Sequence, residues 1–97
     1  MSHTIVLFQW GADKSTRRWF DYASVEEAVY GVLELYEVKH TRARGAYSAK
    51  DLFDWLDTVH FCSCMVLDRA SGRYTPRGAD YLKEQVYKTL KSQALAN

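Results

Sequence analysis

The first apolar segment of the chain is apolar on both of its faces. Residues 5–10 (IVLFQW) are β-branched or aromatic apart from Leu7 and Gln9, and the run stops at Gly11. A run of this composition that is too short for a helix predicts a β-strand. Strands covered on one side alternate apolar with polar residues, so this pattern predicts a strand that is buried on both sides.

Turn residues lead from this strand into a second one, predicted over residues 17–22 (RRWFDY). The intervening loop of about five residues is typical of a β-hairpin. Residues 24–27 (SVEE) then form a capping box, in which the Ser24 hydroxyl accepts from the Glu27 amide and the Glu27 side chain reaches back to the cap. This motif predicts the start of a helix that runs to about residue 39.

The predicted first helix carries apolar residues at helical spacing. That stripe consists of Val25, Ala28, Val29, Val32 and Tyr36. Leu35 and Val38 fall outside the stripe and give the helix a second apolar flank. We predict that this flank is the wall of a groove, between the helix and the sheet edge, that binds an amphipathic segment of a partner protein.

Two helices and two strands are predicted in the rest of the chain. Ser48 can cap a short helix whose apolar positions are Leu52, Phe53, Leu56 and Val59. Strands are predicted over residues 61–67 and 73–75, and Pro76 is expected to end the second of them. The last helix begins at Ala79, with apolar residues at Leu82, Val86, Leu90 and Ala94. The order β-β-α-α-β-β-α predicts an α+β fold with its helices on one face of an antiparallel sheet.

The second face of the sheet has no helix left to cover it. A chain this small would then expose a large apolar patch, which usually marks an interaction surface. We therefore predict a homodimer formed through the sheet, with Ile5, Leu7, Gln9 and Trp19 at the interface and Val6 and Phe8 facing the helices. The alternative is that the first strand is the central strand of a two-layer fold with an imperfect pattern.

Length and charge narrow the class of protein. The chain has 97 residues, which we interpret as one domain, residues 1–97, and its 13 Lys+Arg against 12 Asp+Glu leave a net charge of +1. That balance does not favour non-specific adhesion to nucleic acid or membrane. No secretory signal or apolar run of membrane-spanning length is visible, and the two cysteines are too few for a disulfide framework. These features favour an intracellular protein without membrane contact.

The sequence carries no pattern typical of a metal site or of catalysis. His60, Cys62 and Cys64 alternate along a strand, but zinc needs a fourth ligand and the usual cysteine spacing is wider. The three histidines are scattered, no nucleophile elbow or phosphate-binding glycine loop occurs, and Asp51, Asp54 and Asp57 are interpreted as a solvated helix face. We expect no enzyme activity, no metal and no cofactor.

Two further features each have two interpretations. Residues 39–44 (KHTRAR) form the only basic cluster, which stabilises a helix C-terminus or, alternatively, contacts RNA through Arg42 and Arg44 together with the sheet aromatics. Ser24 is followed three residues later by an acidic residue, as in an acidophilic kinase site, although the capping box explains the same residues. Ser24 is therefore a candidate phosphorylation site.

The chain resembles the enhancer of rudimentary homologue family over nearly its whole length. The resemblance rests on an ordered set of short motifs. They are residues 1–5 (MSHTI) with Gln9, Asp21-Tyr22 before Ser24-Val25, Gly31-Val32 with Tyr36-Glu37, Leu52-Phe53-Asp54 with Asp57, Ser63-Cys64, Tyr74 with Pro76, Lys83-Glu84, Tyr87, and Gln93-Ala94. Each motif is weak by itself, and their order and spacing make the set specific.

The resemblance implies a four-stranded antiparallel sheet with three helices on one side, and a homodimer made by packing two sheets face to face. It further implies a non-catalytic adaptor of nucleus and cytoplasm that binds short segments of RNA-processing proteins, including proteins of small-RNA (piRNA-type) pathways. Contact with RNA is then expected through partners.

Three features depart from the family pattern. Arg18 stands where the family has a threonine proposed as a second kinase site. The loop of residues 41–47 is shorter and more basic than is usual, and Trp10-Gly11 is an unusual end to the first strand. These departures indicate a diverged member whose partners differ.

Overall fold

The computed structural model describes residues 2–96, with side chains described as far as residue 92. Met1 of the first motif, and the side chains of Gln93 and Ala94 in the last one, lie outside what is described. The described residues fold into four strands and three helices. They are β1 (Thr4–Gln9), β2 (Arg17–Tyr22), α1 (Val25–His40), α2 (Ala49–Thr58), β3 (Phe61–Asp68), β4 (Arg73–Gly78) and α3 (Ala79–Ala96), with a short 3-10 turn at Lys14–Thr16 between β1 and β2.

The strands form one antiparallel sheet in the order β2-β1-β3-β4. The predicted α+β fold and its element order are confirmed. The prediction that Pro76 ends the last strand is wrong, since β4 continues to Gly78 with Pro76 opposite Met65. Because β4 is an edge strand, the missing N–H of proline removes no ladder hydrogen bond that the sheet requires.

The core lies between the three helices and one face of the sheet. Val6 and Phe8 have no exposed surface and face the helices, as predicted, beside Cys64 and Cys62 of β3. Helices α1, α2 and α3 contribute to the same cluster. The residues that the helices contribute are Ala28, Val29, Val32, Leu33, Tyr36, Leu52, Trp55, Leu56, Leu82 and Val86.

Two core residues lie outside the predicted helical stripes. Leu33 is fully buried because α1 packs against α3 as well as the sheet, which widens its buried surface. Trp55 is buried because its ring lies 6.0 Å from that of Phe8 and 5.8 Å from that of Trp10. Phe53, predicted for the core, is only half-buried.

Both predicted helix caps are present. The Ser24 hydroxyl accepts from the Glu27 amide at 3.1 Å, while the Glu27 carboxylate accepts from the amide of Ala23, one residue before the expected one. Ser48 and Asp51 form a complete capping box. In the described part of the chain, no helix combines the length and apolar character that crossing a membrane requires.

Candidate functional site

The sheet face that the helices leave uncovered, called here the open face, is largely apolar. Alternate residues of all four strands lie on it. They are Ile5, Leu7, Gln9, Arg17, Trp19, Asp21, Phe61, Ser63, Met65, Leu67, Tyr74, Pro76 and Gly78. Of the seven large hydrophobic residues that are exposed among those described, four lie on this face, and the most exposed of these four is Trp19 at 68%. A contiguous patch of this kind marks a contact surface.

All four residues predicted for a dimer interface lie on the open face. Ile5 and Leu7 are half-buried on its central strand, and Trp19 pairs with Leu7 across β1 and β2. Gln9 differs from them, because it is 4% exposed and its amide is engaged within the chain. It therefore marks one end of the face rather than its apolar centre.

His3 crosses the other end of the open face. Its Nε2 lies 2.7 Å from Asp21 Oδ1, and its Nδ1 lies 2.7 Å from the Tyr74 hydroxyl. One imidazole therefore links the first residues of the chain to both edge strands. This contact was not predicted, since Tyr74 is 71 residues away in sequence.

On the helix side of the sheet, a groove runs between α1 and the β1–β2 hairpin. Its volume is about 550 Å³. The lining residues are Trp10, Phe20, Tyr22, Gly31, Glu34, Leu35, Val38 and Lys39. Leu35 and Val38 form one wall, as the off-stripe flank of α1 predicted, and Val38 is 81% exposed. The three aromatic residues opposite were not predicted, because only the hairpin's fold brings them there.

Because Gly31 has no side chain, the ring of Tyr22 can occupy the space beside its backbone in the groove. A Cβ atom at Gly31 would lie 2.2 Å from the Tyr22 hydroxyl oxygen, so the ring packs directly over the glycine backbone. Burial, followed by the nearby Glu34 carboxylate, raises the pKa of Tyr22 above its usual value. The hydroxyl is therefore neutral and can hydrogen-bond a ligand in the groove.

The groove carries one charge of each sign. Glu34 and Lys39 are both exposed and lie five residues apart on α1. The Lys39 ammonium lies 5.1 Å from the centre of the Trp10 ring, a cation–π arrangement. An apolar cleft with one acidic and one basic group at its rim fits a peptide segment that is apolar with polar flanks.

Both arginines of the basic cluster are paired with carboxylates of the chain. Arg42 Nη1 lies 3.4 Å from Asp51 Oδ2, and Arg44 holds Glu37 through two hydrogen bonds of 2.6 and 3.2 Å. The Tyr47 hydroxyl also donates to Glu37, at 2.5 Å. These contacts tie residues 41–47 to both α1 and α2, and they leave the two arginines less positive charge to offer to phosphate.

The Glu37 cluster makes stability depend on pH. Burial acts to raise the pKa of Glu37, but hydrogen bonds from Arg44 and Tyr47 outweigh it and lower the pKa below its ordinary 4.5. A lowered pKa in the folded state adds stability above pH 4.5 that is lost as the pH falls through the folded pKa. We expect Glu37→Gln to cost about 1–2 kcal/mol at pH 7, in urea unfolding, and less at pH 3, where protonation of Glu37 removes part of the stabilisation.

Glu84→Gln is the matched control for that prediction, since Glu84 forms an exposed pair with Lys88 on α3. It should change the free energy of unfolding by a few tenths of a kcal/mol at most at either pH. Equal effects of the two substitutions at pH 7 would contradict a stabilising role for the Glu37 cluster.

The residues considered for metal binding and catalysis lie in surroundings typical of residues with a structural role. Burial raises the pKa of Cys62 to about 12 and of Cys64 to about 11, so both thiols stay protonated. His60 is exposed at the start of β3. Among the described residues no three His, Cys, Asp or Glu side chains are arranged to hold a metal ion.

The three aspartates of α2 take part in separate contacts. Asp51 belongs to the capping box, Asp54 pairs with Lys50 at 2.8 Å, and Asp57 pairs with Lys83 of α3. They therefore do not converge on one site. Ser24 is 6% exposed, and its oxygen is used by the helix cap. Its phosphorylation stays a prediction.

An antiparallel sheet with helices on one side, an apolar open face and an aromatic groove defines a small α+β protein with two candidate contact surfaces. The family model described as Enhancer of rudimentary matches residues 1–96, and the chain belongs to that family. It is 38% identical to Protein enhancer of rudimentary of Drosophila virilis, across 99% of this chain and 97% of the relative. The Enhancer of rudimentary homologs of Echinococcus multilocularis and Dictyostelium discoideum are 34% and 33% identical, each across 97% of this chain and 98% and 99% of the relative.

Proposed function

We propose that the protein is a non-catalytic homodimeric adaptor. The open face joins two copies, and the groove of each copy binds a short segment of a protein in an RNA-processing or small-RNA complex, in nucleus and cytoplasm. The observation that carries the proposal is the contiguous apolar open face, which covers all four strands. The pathway and the compartments rest on the family resemblance.

The apolar open face supports the dimer. Trp19, Met65 and Tyr74 are each at least 40% exposed there, and large aromatic side chains dominate the energetics of protein interfaces. A second copy is the economical partner, because a two-fold axis brings an apolar patch against an identical one. Two four-stranded sheets packed face to face would remove both patches from water.

The positions of the two surfaces support the adaptor role. The groove is lined from the helix side by Phe20 and Tyr22, whose neighbours in β2, Trp19 and Asp21, point to the open face. Dimerisation through the open face therefore leaves both grooves accessible. A dimer with two equivalent grooves can bridge two partner segments or two copies of one complex.

Affinity capture from native extract, with and without RNase, tests the adaptor role. We expect a short set of proteins that resists RNase, and Val38→Glu should reduce its capture by about fivefold or more, because the new charge would be buried unpaired under the segment. Tyr87→Glu, an equally charged change at an exposed residue of α3, is the control and should capture normally. Loss of the whole set with RNase would contradict the proposal and favour a direct RNA-binding module.

A further inference from the structure

A polar concavity lies at one corner of the sheet, where the β1–β2 turn meets the start of β3. Its volume is about 340 Å³. The lining residues are Gln9, Ala12, Lys14, Arg17, His60 and Phe61. Three of these six can carry positive charge, and none is acidic. The concavity, called here the corner site, is separate from the groove between α1 and the hairpin.

Arg17 is held in place at the corner site by a buried amide. Gln9 Oε1 accepts from Arg17 Nε at 3.1 Å and from Nη2 at 2.8 Å. Gln9 is itself 4% exposed, and its Nε2 donates to the carbonyls of Gly11 at 2.9 Å and Ala12 at 3.3 Å. The turn thus holds the Gln9 amide in place, and the amide holds the Arg17 guanidinium. The guanidinium still has three N–H donors that Gln9 does not use.

The positive charge of the corner site is not neutralised within the described chain. Five other basic residues are in ion pairs with Asp or Glu. They are Arg42, Arg44, Lys50, Lys83 and Lys88. Lys14 and Arg17 have no such pair among the described residues, and the partner that holds Arg17 is a neutral amide.

The carboxylate of Asp13, next to Lys14 in sequence, is turned toward its own loop. Asp13 Oδ1 accepts from the amide of Ser15 at 2.9 Å, and this bond lowers the pKa of Asp13. Asp13 is outside the lining of the corner site. A preorganised guanidinium, an ammonium and an imidazole N–H around one concavity are the donor set that binds oxyanions.

We propose that the corner site binds an oxyanion carried by an acidic segment of a partner protein, either a phosphate group on a side chain or a carboxylate. Its size favours a single charged group. RNA would need a stripe of cations along its backbone, whereas the cations here are confined to one corner and the net charge is only +1. The site lies at the last paired positions of β1, at the end of the open face rather than its centre.

The test is an NMR titration of the full, nitrogen-15-labelled chain with inorganic phosphate, at ionic strength held constant with chloride. Saturable shifts are expected at the Arg17 Nε–H and the Gln9 side-chain amide. Lys14→Gln, a change in the exposed turn, should weaken the phosphate Kd about threefold to fivefold, as for an exposed charge pair. Arg17→Gln should weaken it about tenfold, because a bidentate contact is lost. Arg69→Gln, at an exposed residue of the β3–β4 turn, should have no effect.

Three capped peptides that differ only in a central phosphoserine, glutamate or serine then distinguish the sources of the oxyanion. Binding of the phosphoserine peptide alone assigns the site to phosphate, and equal binding of the glutamate peptide assigns it to carboxylates generally. Shifts that follow ionic strength alone, or that persist unchanged in both corner variants, would overturn the proposal. Saturation of the same signals by a short single-stranded RNA, with no response to any peptide, would overturn the choice of a protein segment.

Discussion

Arginine at both Ile5 and Leu7 is expected to convert the proposed dimer into a monomer of 11.2 kDa, or to leave the protein insoluble. Both residues lie on the central strand of the open face, so the double variant places two charges per copy in the middle of the interface. Unpaired buried charges cost several kcal/mol each, which exceeds what the surrounding apolar contacts can offset. The mass in solution, by light scattering after size exclusion, checks the result.

The fold of the double variant should survive in the soluble fraction. The helix-side core is filled from β1 by Val6 and Phe8, which the substitutions do not touch. A variant with arginine at Ala46 and Ala70, two exposed loop positions, adds the same charge elsewhere and should keep the wild-type mass. A soluble Ile5→Arg/Leu7→Arg protein of unchanged dimeric mass would show that the interface lies on another surface.

Gly31→Ala is expected to disrupt the groove and to destabilise the fold. The new Cβ atom would lie 2.2 Å from the Tyr22 hydroxyl oxygen and 2.4 Å from Cζ, so the ring must leave its position. Overpacking of this kind costs about 1–3 kcal/mol, which exceeds the gain of about 1 kcal/mol from replacing glycine by alanine within a helix. Because Tyr22 lines the groove, capture of RNase-resistant partners should fall about tenfold.

Two further variants make the Gly31 prediction specific. Gly78→Ala is the control, since an added Cβ there meets nothing within 4 Å and should leave stability and capture unchanged. Combining Gly31→Ala with Tyr22→Leu removes the clash and should restore part of the lost stability in urea unfolding. Normal stability and normal capture with Gly31→Ala alone would contradict the account of the groove.

Local signals in the sequence predicted the elements well. The starts of α1 and α2 were predictable, because a serine cap and the acidic residue three positions later act within one turn. The full extent of β4 was not, because tolerance of Pro76 depends on β4 being an edge strand, which is a property of the whole sheet. The burial of Leu33 and Trp55 likewise depends on which elements pack beside them.

The sequence predicted only some of the residues that form each candidate site. Leu35 and Val38 stand out because they lie off the apolar stripe of a single helix, and the structure places both in the groove wall. The opposite wall comes from β2 and from Trp10, just after β1, and no local pattern connects those residues to α1. The faces of β1 followed from strand alternation alone, with Val6 and Phe8 toward the helices.

Charge pairing was beyond what the sequence could indicate. Arg42 and Arg44 form the only visible basic cluster, yet their partners lie nine and seven residues away, at Asp51 and Glu37. No local pattern in the sequence distinguishes Lys14 and Arg17, but in the structure they have no acidic partners among the described residues. Local charge density therefore does not indicate which cations lack an acidic partner.

An isotope-filtered NOE experiment on a mixture of labelled and unlabelled chains tests the proposed contact between two copies of the chain. We expect NOEs between copies that arise from the Ile5 and Leu7 methyl groups and the Trp19 ring. The Leu35 and Val38 methyl groups in the groove should give none. An absence of NOEs between copies at concentrations suited to NMR, or NOEs that arise from the groove instead, would contradict a dimer formed through the open face.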